Sequence, residues 1–124
     1  MYAVTVTEPF VAQHFLTVPN PPEEEAELHS HAFRAEVTFR GPTLNEYGYL
    51  IDIDLARAAL ADAADRYRDE TLNDHLPGNP SVERLAAALF DELADVDAPH
   101  AEELTVLVHE DDAATVSVTD TLSE

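Results

Sequence analysis

Residues 28–40 read LHSHAFRAEVTFR, and they alternate without a slip. His29, His31, Phe33, Ala35, Val37 and Phe39 fall on one parity; Ser30, Arg34, Glu36, Thr38 and Arg40 fall on the other. Side chains at i and i+2 leave a strand on the same face. The stretch therefore predicts a strand with one face on a core and one in water. It also stands His29 and His31 side by side, on the apolar face.

Residues 2–18, YAVTVTEPFVAQHFLTV with Tyr2 first, repeat the pattern. Tyr2, Val4, Val6, Phe10, Ala12, His14 and Leu16 oppose Thr5, Thr7, Gln13 and Thr17. Pro9 marks a break or bulge, because proline cannot donate to a ladder. The link VPNPPEEEAE, 18–27, predicts a proline-rich acidic loop. After the loop GPTLNEYGY, 41–49, the period lengthens. Ile53, Ala56, Leu60, Ala63 and Tyr67 recur at steps of three and four, a helix stripe. Residues 70–80, ETLNDHLPGNP, form a loop ending in Asn79 as N-cap and Pro80 at the first helical position. Val82, Leu85, Leu89 and Leu93 are the apolar face of that second helix. LTVLVHE (104–110) and AATVSVT (113–119) are two last strands, joined by an acidic turn around Asp111 and Asp112. The order β-β-α-α-β-β predicts an α+β fold: a four-stranded, mostly antiparallel sheet with both helices on one face.

The chain length of 124 residues suits a single domain, 1–124. Asp and Glu number 26 against six basic residues, all arginine, for a net charge of −20. That charge argues against nucleic acid and anionic membrane as partners. The acids are spread between apolar positions, so they predict a folded protein in a salt-rich cytosol, where ions screen self-repulsion. No apolar run approaches a membrane span, and the start MYAVTVTEPF lacks the pattern of a signal peptide, so a cytoplasmic location is expected. There is no cysteine, which excludes disulfides and thiolate chemistry.

His14 shares the apolar face of the first strand, as His29 and His31 share that of the second. If the two strands pair, three imidazoles converge. Three neutral imidazoles and one open position make a catalytic zinc arrangement. The other reading is three satisfied histidines of core and surface, and spacing alone leaves both open.

Further motifs carry a resemblance. They are F-x-A-x-H-F (Phe10, Ala12, His14, Phe15), L-H-S-H-A-F from Leu28, and G-Y-L-I-D-I from Gly48. L-N (Leu72, Asn73), N-P-S-V-E (Asn79–Glu83) and V-H-E (Val108–Glu110) complete the set. In order and spacing the chain resembles the 6-pyruvoyl-tetrahydropterin synthase and 6-carboxytetrahydropterin synthase family over nearly its whole length. The resemblance implies the tunnelling fold, in which subunits join sheets into a barrel as a homo-oligomer with active sites between subunits. It implies Zn2+ on His14, His29 and His31. It also implies a pterin substrate gripped by Glu110, with Glu83 as a second acid near the pocket. A carboxylate suits the pterin 2-amino and N3 edge because it accepts two parallel hydrogen bonds.

The sequence departs from the family pattern at two places. The family cysteine, four residues before the first histidine of the pair, is replaced by Glu25. The family Asp-His pair, two residues before L-N, is replaced by Arg68 and Asp69. Members with glutamate at the cysteine position are implied to cleave the side chain of dihydroneopterin triphosphate, yielding 6-hydroxymethyl-7,8-dihydropterin. Glu25 is thus the expected catalytic acid/base. Asp74 and His75, an Asp-His pair just after L-N, are further candidates for an ordinary synthase reaction through shifted groups. A relative that binds pterin or zinc without catalysis is the remaining alternative.

Overall fold

The computed structural model describes residues 1–122. Its strands are β1 (Tyr2–His14), β2 (His29–Gly41), β3 (Glu103–Glu110) and β4 (Ala114–Thr121). Its helices are α1 (Glu23–Ala26), a single turn, α2 (Ile53–Asp65) and α3 (Val82–Leu93), with a 3-10 turn at Leu72–Asp74. The sheet order is β1-β2-β3-β4, and every neighbouring pair is antiparallel. This is the expected α+β order, β-β-α-α-β-β.

The alternation of the two long strands builds the core. Val6, Phe10 and Ala12 of β1, Phe33, Ala35, Val37 and Phe39 of β2, and Leu104, Val106 and Val108 of β3 are all buried on one face. Leu60 of α2 and Leu85, Leu89 and Leu93 of α3 pack onto them. Each such side chain contributes roughly 1.5–3 kcal/mol on burial. A helix cap contributes about 1 kcal/mol, so the apolar layer, and not the caps, holds the helices to the sheet.

Pro9 makes neither a break nor a bulge. The β1–β2 register runs unbroken from Tyr2 opposite Gly41 to His14 opposite His29. β1 is an edge strand, and its odd residues turn their backbone outward: Val11 O accepts from Asp69 N, and Gln13 N donates to Glu70 O. Pro9 shares that parity, so its missing N–H removes no ladder bond. The α2 stripe also starts later than expected. Ile53 is exposed, and burial begins at Ala56.

The cap of α3 is Ser81, whose hydroxyl accepts from Arg84 N, and not Asn79. The Asn79 side chain is engaged elsewhere, accepting from Thr17 N at 2.8 Å. The shift leaves Pro80 outside the helix with its carbonyl free. The acidic link is not all loop, because α1 forms within it; Pro22 O accepts from Glu25 N and Ala26 N.

The opposite sheet face has no helix. Thr5, Thr38, Thr105 and Thr119 make one register row across all four strands. Thr5 and Thr38 hydroxyls lie 2.8 Å apart, and those of Thr105 and Thr119 lie 2.9 Å apart. The only acids on this face of the strands are Glu36 and Glu103, which meet Arg34 at 3.4 Å and Arg40 at 3.5 Å. A chain of net charge −20 thus keeps one broad face close to neutral.

Candidate metal centre

The strand register places the three histidines. His14 pairs with His29, and Ala12 pairs with His31, at the same end of β1 and β2 and on the core face. The His14–His29, His14–His31 and His29–His31 ring centroids lie 4.6, 4.9 and 4.7 Å apart. One nitrogen from each ring and a carboxylate oxygen of Glu25 all lie within 4.8 Å of one another.

Each imidazole is oriented through Nδ1. His14 Nδ1–H donates to Pro80 O at 3.0 Å, and His29 Nδ1–H to Glu27 O at 2.8 Å. His31 Nδ1 lies 2.6 Å from Asp111 Oδ2. A carbonyl or carboxylate oxygen only accepts, so Nδ1 carries the proton and Nε2 presents its lone pair. His14 Nε2 and His29 Nε2 are buried without a hydrogen-bond partner. Glu25 Oε2 lies 3.0 Å from His29 Nε2 but is not aligned for a hydrogen bond. A buried unpaired polar atom costs about 1–3 kcal/mol. Lone pairs turned to one point would be satisfied by a cation held among them. The donor set fits a four-coordinate divalent metal ion with three imidazole ligands and one further position.

The electrostatics agree. Burial holds the His14 imidazole below its ordinary 6.5, which favours the neutral form a metal needs. The His31 hydrogen bond, with a second from Ala32 N, holds the Asp111 carboxyl below its ordinary value. Beneath the site, Phe10 and Phe33 stack at 5.5 Å, and the edge of His31 meets Phe33 at 5.9 Å. The floor is therefore apolar.

The L-N and N-P elements secure the chain beyond His14. Asn73 Oδ1 accepts from Phe15 N, and its Nδ2 donates to Phe15 O, both at 3.0 Å. Arg84 Nη1 donates to Pro77 O at 2.6 Å and Asn79 O at 3.2 Å, which steadies the loop that carries Pro80. α1 reverses the chain, and Leu16 N donates to Glu25 O at 2.8 Å, so Glu25 is brought over the histidines.

Of the other residues singled out in the sequence, Glu110 ends β3 with Oε2 4.0 Å from His31 Nε2. Glu83 is exposed in the first turn of α3, outside the cluster. Asp74 and His75 also stay outside it. His75 Nε2 lies 3.2 Å from Glu70 Oε1, and its ring edge meets Tyr67. Arg68 and Asp69 have other partners. Arg68 holds Glu8 at 2.6 Å, Asp65 at 2.9 Å and Pro9 O at 2.9 Å, and Asp69 N donates to Val11 O at 2.7 Å. His109 lies on the open face, 3.0 Å from Arg34 and 3.1 Å from Glu36. His100 meets Thr43 Oγ1 at 3.0 Å. Sequence reading missed the roles of Pro80 O, Glu27 O and Asp111. Only Asp111 left a signal, an acid one step past a strand that pairs with the histidine strand.

A family model described as 6-pyruvoyl tetrahydropterin synthase matches residues 3–121. No curated protein sequence matches. Among solved structures, the chain is similar to a catalytic-residue mutant of Plasmodium vivax 6-pyruvoyltetrahydropterin synthase, a glutamate-to-alanine variant. The TM-score is 0.83 at 15% identity, covering 97% of this chain and 98% of that one. The Plasmodium falciparum synthase gives 0.83 at 16% identity, with coverage of 97% and 98%. The Caenorhabditis elegans synthase gives 0.76 at 16% identity, with coverage of 96% and 95%. At these identities the structures establish the shared fold; the family match spans almost the whole chain, and the chain belongs to the 6-pyruvoyl tetrahydropterin synthase family.

Proposed function

We propose that this protein is a zinc-dependent lyase acting on the side chain of 7,8-dihydroneopterin triphosphate and releasing 6-hydroxymethyl-7,8-dihydropterin. The observation that carries the reading is the convergence of His14, His29 and His31 beside the Glu25 carboxylate. When bound, zinc supplies Lewis acidity that lowers the pKa of a substrate hydroxyl. The chain's own groups do the rest. The three imidazoles, each held by its Nδ1 partner, fix where the metal sits. Glu25, a third exposed, takes the side-chain hydroxyl proton as the adjacent carbon–carbon bond breaks; the hydroxyl carbon leaves as an aldehyde carrying the triphosphate, and Glu25 returns the proton to the pterin-side carbon, which keeps the electron pair. Glu110 accepts from the pterin 2-amino and N3 groups, and Glu83 is the second acid that the family motif implies. The catalytic glutamate named for the Plasmodium vivax synthase supports a carboxylate in this role.

Binding without catalysis is the second reading. It is favoured by Arg68 and Asp69, which stand where the family has its Asp-His pair and make structural ties instead. Incubating zinc-loaded protein with dihydroneopterin triphosphate in high salt separates the two. Formation of 6-hydroxymethyl-7,8-dihydropterin supports the lyase; recovery of unchanged substrate, bound but not turned over, supports the second reading.

The protein assembles as a homo-oligomer with its sites between subunits. β4 and the N-terminal half of β1 are open edges, which natural sheets cover or pair, while Asp69 and Glu70 already bond the other end of β1. Each carries a single acid, Glu8 or Asp120, and Glu8 is tied to Arg68. Phe15, Val18 and Leu28, on segments flanking the histidines, are exposed. A near-neutral open face fits a barrel interior, and the acids elsewhere fit screening by concentrated salt. Light scattering in molar salt should give the mass of several chains, and dilution to low salt should dissociate or unfold them. A monomer whose melting temperature ignores salt would contradict both parts.

A further inference from the structure

The structure assigns Asp111 as a positioning residue that sets the tautomer of His31 and thereby its capacity to bind a metal. This inference rests on the metal-centre reading above and goes beyond it by naming a residue outside the candidate ligand set.

The geometry begins at the hairpin. Asp111 follows β3 with φ +49°, the left-handed region, as the chain turns into β4. Its backbone N donates to Ala32 O at 2.7 Å, one step past the last β2–β3 pair, Phe33 with Glu110. In a continuing ladder Ala32 N would donate to the carbonyl opposite. The left-handed turn swings that carbonyl away, and Asp111 Oδ1 takes its place, accepting from Ala32 N at 2.9 Å. The carboxylate is thereby fixed to the β2 backbone beside His31. Its other oxygen, Oδ2, reaches His31 Nδ1 at 2.6 Å. The Nδ1 partners of His14 and His29 are backbone carbonyls, which no side-chain substitution removes. Asp111 is the one mutable partner.

Both carboxylate oxygens accept, and both facing groups donate. An amide cannot satisfy that pair. In Asp111→Asn, either the amide oxygen stays on Ala32 N and the NH2 faces His31 Nδ1, or the reverse. The reverse sets the NH2 against Ala32 N–H, two donors that cannot adjust, so the first arrangement prevails and His31 accepts through Nδ1 and carries its proton on Nε2, the nitrogen that would bind the metal. Asparagine tolerates left-handed φ, so the turn survives. Partners of this kind are worth about 10–100-fold in metal affinity.

The test uses the full chain labelled with 15N-histidine, with His31 assigned by its loss in His31→Gln. In the metal-free parent, the imidazole shifts should show His31 protonated on Nδ1. In Asp111→Asn they should show the proton moved to Nε2, and zinc affinity, measured by chelator competition, should fall about 10–100-fold. Asp111→Gly keeps the turn and removes the carboxylate. It should leave a mixture of tautomers and an intermediate affinity, and it serves if the asparagine variant fails to fold. Unchanged tautomer and unchanged zinc affinity in the variants would overturn the assignment. If the parent itself takes up no zinc, the metal-centre reading fails, while the His31 tautomer in metal-free protein still decides the role of Asp111.

Discussion

Replacing His29 and His31 together by alanine should abolish zinc retention through dialysis and leave the fold standing. The parent should hold about one ion per chain, as expected for a single three-imidazole site. The double variant removes two of the three converging nitrogens, so its affinity should fall well beyond the roughly 10–100-fold typical of a lost supporting partner. The fold should survive because both side chains lie at the end of β2, partly exposed, beyond the packed layer of Phe33 to Phe39. Their loss also relieves the unpaired His29 Nε2. His14→Ala should differ. His14 is only 3% exposed and is bonded to Pro80, so that change should lose metal and also loosen the loop before α3. Full zinc content in the double variant would end the three-histidine account.

Glu25→Gln should lower turnover by roughly two orders of magnitude or more, the usual scale for loss of a positioned general base. Zinc content and pterin binding should persist, because the amide keeps the shape and the three imidazoles are untouched. The structure separates Glu25 from its neighbours. Glu23, Glu24 and Glu27 are exposed, and Glu25 alone turns inward, to 3.0 Å from His29 Nε2. Glu24→Gln should therefore cost little. Equal turnover in both variants would move the base elsewhere, and Asp69, Asp74 and His75 would be the next to substitute.

What was legible in the sequence followed from period. Alternation is clean in β2 and interrupted in β1 only by Glu8 and Val11, so it predicted which face each histidine takes; that His14 meets His29 and His31 depended on the two strands pairing, which the register shows. The stripe of α2 and the face of α3 were legible for the same reason, with Ile53 the exception. That residue sits in the first turn, before the helix reaches the sheet. Single-turn features were not legible. α1 is four residues long, too short to show a period, and it is held by Pro22 O and the Leu16–Glu25 contact. Asn79 looked like a cap, but Ser81 took that role because the Asn79 side chain serves Thr17, 62 residues away in sequence. The groups that orient the histidines are mainly backbone carbonyls, which carry no residue-type signal. Pro9 was misjudged because strand position at the sheet edge, and not residue type, decides whether proline is tolerated.

The most direct measurement of the central claim is the zinc K-edge X-ray absorption spectrum of the loaded protein in high salt. It should show a four-coordinate ion with three imidazole nitrogens at about 2.0–2.1 Å and one further light-atom ligand. A shell dominated by carboxylate and water oxygens, with fewer than three imidazoles, would contradict it.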